Sequence, residues 1–286
     1  MANLKDIKTR MVSIRNTQQI TSAMKMVAAA KMKKAEMHIV KAKPYAEKLR
    51  SIVTNLSQGL ESSAHPLLEE REGGKVVILL ISSDRGLCGG LNTNLCKALL
   101  RYQKEQNFEF VELITLGRKG YEFFSSQGVE IAEAFQSLKD DEMAEALTGK
   151  VRELIQQYEN GEFNKLILAH NTFKNVLTQE VVLKQVLPIE PPEVEKEDPE
   201  EEVQFIFEAS KDEILGSILP QYVESQAFTA LLDNNACEHA ARMTSMDSAT
   251  KNAGEMLSAL QLTYNRARQA AITTELIEII AGAESL

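Results

Sequence analysis

Residues 4–56 read LKDIKTRMVSIRNTQQITSAMKMVAAAKMKKAEMHIVKAKPYAEKLRSIVTNL. Steps alternating between three and four residues run down this stretch in one register. They touch Leu4, Ile7, Met11, Ile14, Gln18, Thr21, Lys25, Ala28, Met32, Ala35, Ile39, Ala42, Ala46, Leu49, Val53 and Leu56. Only Gln18, Thr21 and Lys25 break the apolar character, and they are consecutive. A repeat sustained over more than about six heptads predicts a coiled-coil seam. One unbroken helix here would be on the order of 85 Å long, with Pro44 removing one backbone hydrogen bond.

The other end of the chain behaves alike. Met243, Met246, Thr250, Ala253, Leu257, Leu260, Tyr264, Ala267 and Ala271 keep the same alternation. Between Asp212 and Ala281 the helix breakers are Pro220, Gly216 and Gly254, so a helix on the order of 100 Å is expected. The two ends should pair antiparallel, because a domain inserted between them leaves both termini at one tip. Alanines on the seam let the backbones approach closely.

Between the two helices the pattern changes to short apolar runs bounded by turn residues. Lys75–Ser82, Phe110–Leu116 and Phe163–His170 read as strands, with Val129–Phe135 and Gln179–Leu187 as weaker ones. Helical stretches at Asn94–Lys104, Gly120–Ser126 and Asp141–Tyr158 alternate with them, which predicts a mostly parallel α/β sheet. Glu190–Glu202, with three prolines and a charge excess, reads as a solvated loop. The expected class is α/β: a long antiparallel coiled coil of terminal helices with an inserted Rossmann-like domain. The divisions are an N-terminal helix over 1–60, the α/β domain over 74–190, an acidic linker and foot segment over 191–207, and a C-terminal helix over 208–286.

Composition supports long helices. Aromatics are 6 % of 286 residues and tryptophan is absent, while there are 10 methionines. The net charge of -9 hides a polarity. Lys5, Lys8, Arg10, Arg15, Lys25, Lys31, Lys33, Lys34, Lys41, Lys43, Lys48 and Arg50 face only Asp6, Glu36 and Glu47 in the first 50 residues. That basic end invites a charged partner. Nucleic acid is the poorer match: Tyr45 is the lone aromatic before Tyr102, which leaves no stacking platform on the basic end. Acidic protein surfaces fit better.

Cys88, Cys96 and Cys237 have neither zinc spacing nor an even disulfide framework, and are expected in a reducing compartment. The longest apolar run, Val76–Ile81, is far short of the ~20 residues that span a bilayer. The basic N-terminus resembles a transit peptide in composition, but its pattern continues to Leu56 and is read as structural.

The stretch SSDRGLCGGLN, Ser82 to Asn92, lies where phosphate loops sit, after a strand and before a helix. It lacks both Gly-x-x-x-x-Gly-Lys-Ser/Thr and Gly-x-Gly-x-x-Gly. The simpler reading is a tight turn organised by Asp84 and Arg85, or a partner contact; a nucleotide-binding α/β enzyme is the rival. His38, His65, His170 and His239 share no motif, and Glu142 and Glu145 read as a solvated helix face. No catalytic constellation, metal site or cofactor is expected. A coiled-coil scaffold is the other rival.

ITTELIEIIAGAES, Ile272 to Ser285, lies beyond the reach of the N-terminal helix and should project as a single helix. Its Ile272, Leu276, Ile279 and Ile280 then need an enclosing partner.

These ends resemble the gamma-subunit family of F-type ATP synthases. Ile272, Thr273, Glu275, Glu278, Gly282 and Ala283 match its tail signature Ile-Thr-x-Glu-x-x-Glu-x-x-x-Gly-Ala. RNTQQITSAMKMVAAAKM (Arg15–Met32), SSDRGLCGGLN, YVESQ (Tyr222–Gln226) and AARM (Ala240–Met243) also recur in the family, and the resemblance runs the full length.

The resemblance implies a non-catalytic rotor shaft, one copy per complex, inside a hexamer of three alpha and three catalytic beta subunits. The tail would turn in an apolar sleeve, and the α/β domain would sit beside the epsilon subunit on the membrane c ring. Proton flow would turn the shaft and drive the beta subunits through ATP synthesis or hydrolysis. It implies a bacterial source and a peripheral place on the cytoplasmic side of the cell membrane, with no direct membrane insertion and no nucleic acid.

By position, Met24 and Lys25 would meet an acidic loop of beta, with Arg242 and Gln269 bracing that contact. Arg266, Arg268, Thr273 and Glu275 match the region that touches a beta catch loop. Phe207 and Glu208 match a Tyr-Glu pair at the c ring; Phe207 brings no hydroxyl. Plant chloroplast relatives carry a redox insertion with paired cysteines; this chain has none, and no thiol regulation is expected.

Overall fold

The computed structural model describes residues 4–57, 65–71, 73–106, 108, 110–190 and 211–284. Two helices dominate it: α1 (Leu4–Ser57, 54 residues) and α5 (Lys211–Glu284, 74 residues), which continue through Pro44 and Pro220 respectively. Between them come β1 (Lys75–Ile81), α2 (Leu91–Gln106), β2 (Phe110–Leu116), α3 (Arg118–Ser126), β3 (Glu133–Phe135), α4 (Asp140–Glu159), β4 (Lys165–Phe173) and β5 (Gln179–Leu187). The chain divides into two compact units. One is residues 31–241; the other is residues 1–30 with 242–286.

The larger unit holds a five-stranded sheet in the order β3-β2-β1-β4-β5. β1 pairs parallel with β2 and β4, β2 parallel with β3, and β5 returns antiparallel on β4. The order 3-2-1-4 is that of a Rossmann-type sheet, as the alternation of strands and helices predicts. β1 is central, and successive side chains point to opposite faces. Val76, Ile78 and Leu80 pack with Leu95 and Leu99 of α2 and Phe124 of α3. Val77, Leu79 and Ile81 pack with Leu154 of α4, Val53 and Leu56 of α1, and Leu219 and Val223 of α5. A strand buried on both faces needs the continuous apolar run that β1 carries.

Two strands begin later than expected. Only Glu133–Phe135 of the expected 129–135 pairs, because the Val129 N–H still donates to Phe124 O at the end of α3 and the chain must first return to the sheet. β4 begins at Lys165, two residues late, because Asn164 is used as a clasp. Its side chain accepts the Lys75 N–H (3.3 Å) and its N–H donates to Lys75 O (2.9 Å).

Glu142 and Glu145 lie on the exposed face of α4 as expected, and Glu142 also caps it: its carboxylate accepts the Lys139 N–H at 3.0 Å. With Asp140 and Asp141 it puts negative charge at the helix's positive end.

In the smaller unit, residues 4–30 of α1 and 242–284 of α5 lie antiparallel. Ile7, Thr21, Ala28, Met246 and Ala253 are buried in the interface. Every other seam position expected in this unit is half-buried. The three-four alternation therefore marks the contact line along both helices.

Candidate functional site

The Ser82–Asn92 turn closes on itself. The Ser82 hydroxyl donates to Leu116 O (3.1 Å) and accepts the Gly120 N–H (2.9 Å). Asn92 accepts the Ser83 N–H (3.1 Å) and donates to Ser83 Oγ (2.7 Å), so the first turn of α2 is tied back to the end of β1. Asp84 Oδ1 accepts the N–H groups of Arg118 (2.8 Å) and Ser137 (3.1 Å). The amino end of α3, a natural anion seat, already holds a carboxylate of the chain. Arg85 contributes its carbonyl, which accepts from Ser83 Oγ at 2.8 Å.

Gly117 makes this closure possible. Its φ is +97°, and a Cβ there would lie 2.2 Å from Ser82 O. Gly117→Ala should therefore destabilise the chain by on the order of 3 kcal/mol, through left-handed strain and collision with a backbone oxygen. A urea midpoint unchanged from the parent would contradict this.

Ligands of Rossmann-type sheets bind at the carboxyl ends of the strands, where the order reverses. That place lies between β1 and β4 here, and α5 fills it. Cys237 and Ala241 are buried against Cys88 and Leu91, with Phe173 packed alongside. Asn171 donates to Asn234 Oδ1 at 3.0 Å, both side chains being buried.

The nearby His170 is pushed down to about 4 by burial and by Lys184. It is neutral near pH 7 and lies 3.2 Å from the Thr172 hydroxyl, with no carboxylate in hydrogen-bonding range among the described residues. All three cysteines are buried and outside any disulfide. Burial raises the Cys96 and Cys237 thiols to about 12, which makes them poor nucleophiles. Among the described residues at this edge, His170, Cys88 and Cys237 are engaged in packing.

The polar interruption of the α1 seam meets a matching one on α5. Lys25 Nζ donates to Asp247 Oδ1 at 2.6 Å, and Lys251 reaches the other oxygen at 2.7 Å. These hydrogen bonds, Lys25's first, pull the Asp247 carboxyl down to about 2. The Thr21 and Thr250 hydroxyls share a hydrogen bond of 2.8 Å. Gln18 Nε2 comes within 3.1 Å of where a Cβ on Gly254 would stand, so glycine leaves room for the amide.

These contacts step antiparallel and bring Leu4 level with about Arg268. Past that level α5 has no partner among the described residues of α1. Ile272, Leu276, Ile279 and Ile280 are 48 %, 53 %, 67 % and 57 % exposed.

The remaining site residues sort by exposure. Arg266, Arg268, Gln269, Thr273 and Glu275 are exposed on α5, with the Thr273 hydroxyl donating to Gln269 O at 2.9 Å. Met24 is half-buried and Arg242 buried. Phe207 and Glu208, with the acidic segment, lie outside the described residues.

Sequence reasoning missed Asp247 and Lys251. Their spacing of four on a helix was the available signal, but only the antiparallel register brings Asp247 to Lys25. It also missed the bidentate pair of Arg152 with Glu224 (2.8 and 3.0 Å), which joins α4 to α5.

A family model described as ATP synthase matches residues 3–286. The ATP synthase gamma chain of Geotalea daltonii is 48 % identical over 288 residues, covering 100 % of this chain and 99 % of the relative. That of Glaesserella parasuis is 42 % identical with both chains fully covered.

Among solved structures, a chain of the Euglena gracilis mitochondrial ATP synthase (OSCP/F1/c-ring, rotational state 3) superimposes with a TM-score of 0.69 at 17 % identity. It covers 99 % of this chain and 94 % of that one. A chain of the Tetrahymena thermophila mitochondrial ATP synthase central stalk and c ring gives 0.59 at 20 % identity, covering 80 % and 99 %.

Proposed function

The chain belongs to the ATP synthase gamma-chain family, and on that premise we propose that it is the central rotor of such an enzyme, a mechanical and not a catalytic subunit. The observation that carries the reading is the tail. A single helix presenting isoleucines and a leucine that are about half exposed or more is a liability in water unless a partner encloses it. An apolar sleeve formed by a ring of alpha and beta subunits is the enclosure that fits.

The mechanism follows from asymmetry. A ligand or partner shifts a conformational equilibrium only through differential interaction with its states. A rotor built from two unlike helices, one basic and one carrying an apolar tip, presents a different face to each beta subunit as it turns. Each beta would then pass through different nucleotide affinities, with proton flow through the c ring as the drive. Arg266, Arg268, Gln269, Thr273 and Glu275, exposed on α5, are suited to contact beta, with Met24 and Arg242 near the polar part of the seam. Phe207 and Glu208 are assigned to the foot at the c ring, near the epsilon subunit. No described helix is long and apolar enough to cross a membrane, and we assign the chain a peripheral place on the cytoplasmic face.

Co-expression with alpha and beta subunits tests this. Native mass should show one copy of this chain per three of each partner, with ATP hydrolysis depending on it. A chain that stays apart from alpha and beta overturns the assignment.

A further inference from the structure

We propose, on the rotor reading above, that Asp247 is a positioning residue that locks the register of α1 against α5, and that Lys25 acts through Asp247 and not by direct contact with a partner chain. Small or flexible side chains such as Ala28, Met246 and Ala253 make up the buried part of the seam around this cluster. Such a seam is smooth, and sliding by one heptad costs it little packing; a polar position on a seam is the device that specifies register.

Here three successive polar positions of α1 meet complementary groups: Lys25 with Asp247, Thr21 with Thr250, and Gln18 beside Gly254. A slide by seven residues would set Lys25 opposite Gly254 and Thr21 opposite Leu257; the opposite slide would set Thr21 against Met243. Either slide breaks the Thr21–Thr250 hydrogen bond and takes Lys25 away from Asp247, leaving each hydroxyl only a carbonyl of its own helix, Gln18 O or Met246 O.

Two lysines converge on one carboxylate, at 2.6 and 2.7 Å. Lys25, whose side chain is 44 % exposed, thereby has its ammonium directed to α5 by the 2.6 Å contact with Asp247. A rotor transmits torque only if its helices do not slip past each other, so this cluster is where slippage is resisted.

The test uses the assembled complex in inverted membrane vesicles, with ATP hydrolysis and hydrolysis-driven proton pumping read separately. Asp247→Asn and Lys25→Gln should each lower the pumping-to-hydrolysis ratio by about fivefold, and the double variant by no more than either alone. Reversing all three charges (Lys25→Asp, Asp247→Lys, Lys251→Glu) should bring the ratio back to within about 1.5-fold of the parent. Multiplying losses, a Lys25→Gln defect well beyond that of Asp247→Asn, no recovery on reversal, or unchanged ratios throughout each overturn the proposal.

Should charge reversal prevent assembly, the threonine pair decides. Thr250→Val and Thr21→Val should each lower the ratio, and the double variant by no more than either alone, because the same shared bond is lost in all three; multiplying losses or unchanged ratios overturn the proposal. A parent chain that assembles with no alpha or beta subunit refutes the rotor reading instead, a distinct outcome.

Discussion

Truncation after Ala271 leaves the unfolding midpoint of the chain itself unchanged and weakens its association with the surrounding ring by roughly 10²–10³-fold. The two halves of this expectation come from the same exposures. Ile272, Leu276, Ile277, Ile279 and Ile280 keep about half or more of their surface in water, so they add little to the chain's own stability. Enclosing the remainder of each is worth about 1 kcal/mol, or about 5 kcal/mol together, part of which the ordering of the contact offsets. Urea unfolding of the truncated chain measures the first half, and dissociation of the complex on dilution, followed by native mass, the second. A truncated chain that is itself destabilised would mean that the tail folds back on its own unit. Unchanged association would mean that the sleeve does not grip it.

Tyr158→Ala costs the larger unit about 3–5 kcal/mol, enough to unfold a marginal domain at physiological temperature. Tyr158 is fully buried at the end of α4 and ties three segments together. Its hydroxyl donates to Glu69 O at 2.8 Å, and its ring meets Phe163 edge to face at 5.5 Å between centroids. The Arg71 guanidinium lies 4.5 Å above the ring and donates to the Tyr158 carbonyl. Leu67 and Leu68, on the segment held there, are buried in the same core.

Tyr158→Phe keeps the ring and loses only the hydroxyl, so its cost should be about 1–2 kcal/mol, mostly the unsatisfied Glu69 carbonyl. Urea midpoints of the two variants separate packing from hydrogen bonding. Equal losses would refute the view that the ring dominates.

Both expectations depend on features of unequal legibility. The exposed tail was readable from the residues, because a seam that runs out of partner is a matter of counting. Tyr158 was not: it belongs to an apolar helix face like many others. The residues that make it a hub, Glu69, Arg71 and Phe163, lie on two other segments. The Ser82–Asn92 turn stands between these cases. Its glycines and its place after a strand suggested a tight turn, yet Asp84 became a helix anchor only through Arg118 and Ser137, more than thirty residues away.

The residues by themselves determined the elements, the seam of both long helices, the mostly parallel sheet and the family. Periodicity and motif are local properties, written every two or every 3.6 residues and unaffected by what the element later packs against. Tertiary structure alone decided that α5 fills the crevice beside β1 and β4, and that Lys25 meets Asp247 across a sequence separation of 222 residues. Those outcomes turn on register and on which group reaches a donor first. A shift of one residue in a strand or one heptad in a helix pair changes every such partner while leaving the local pattern intact.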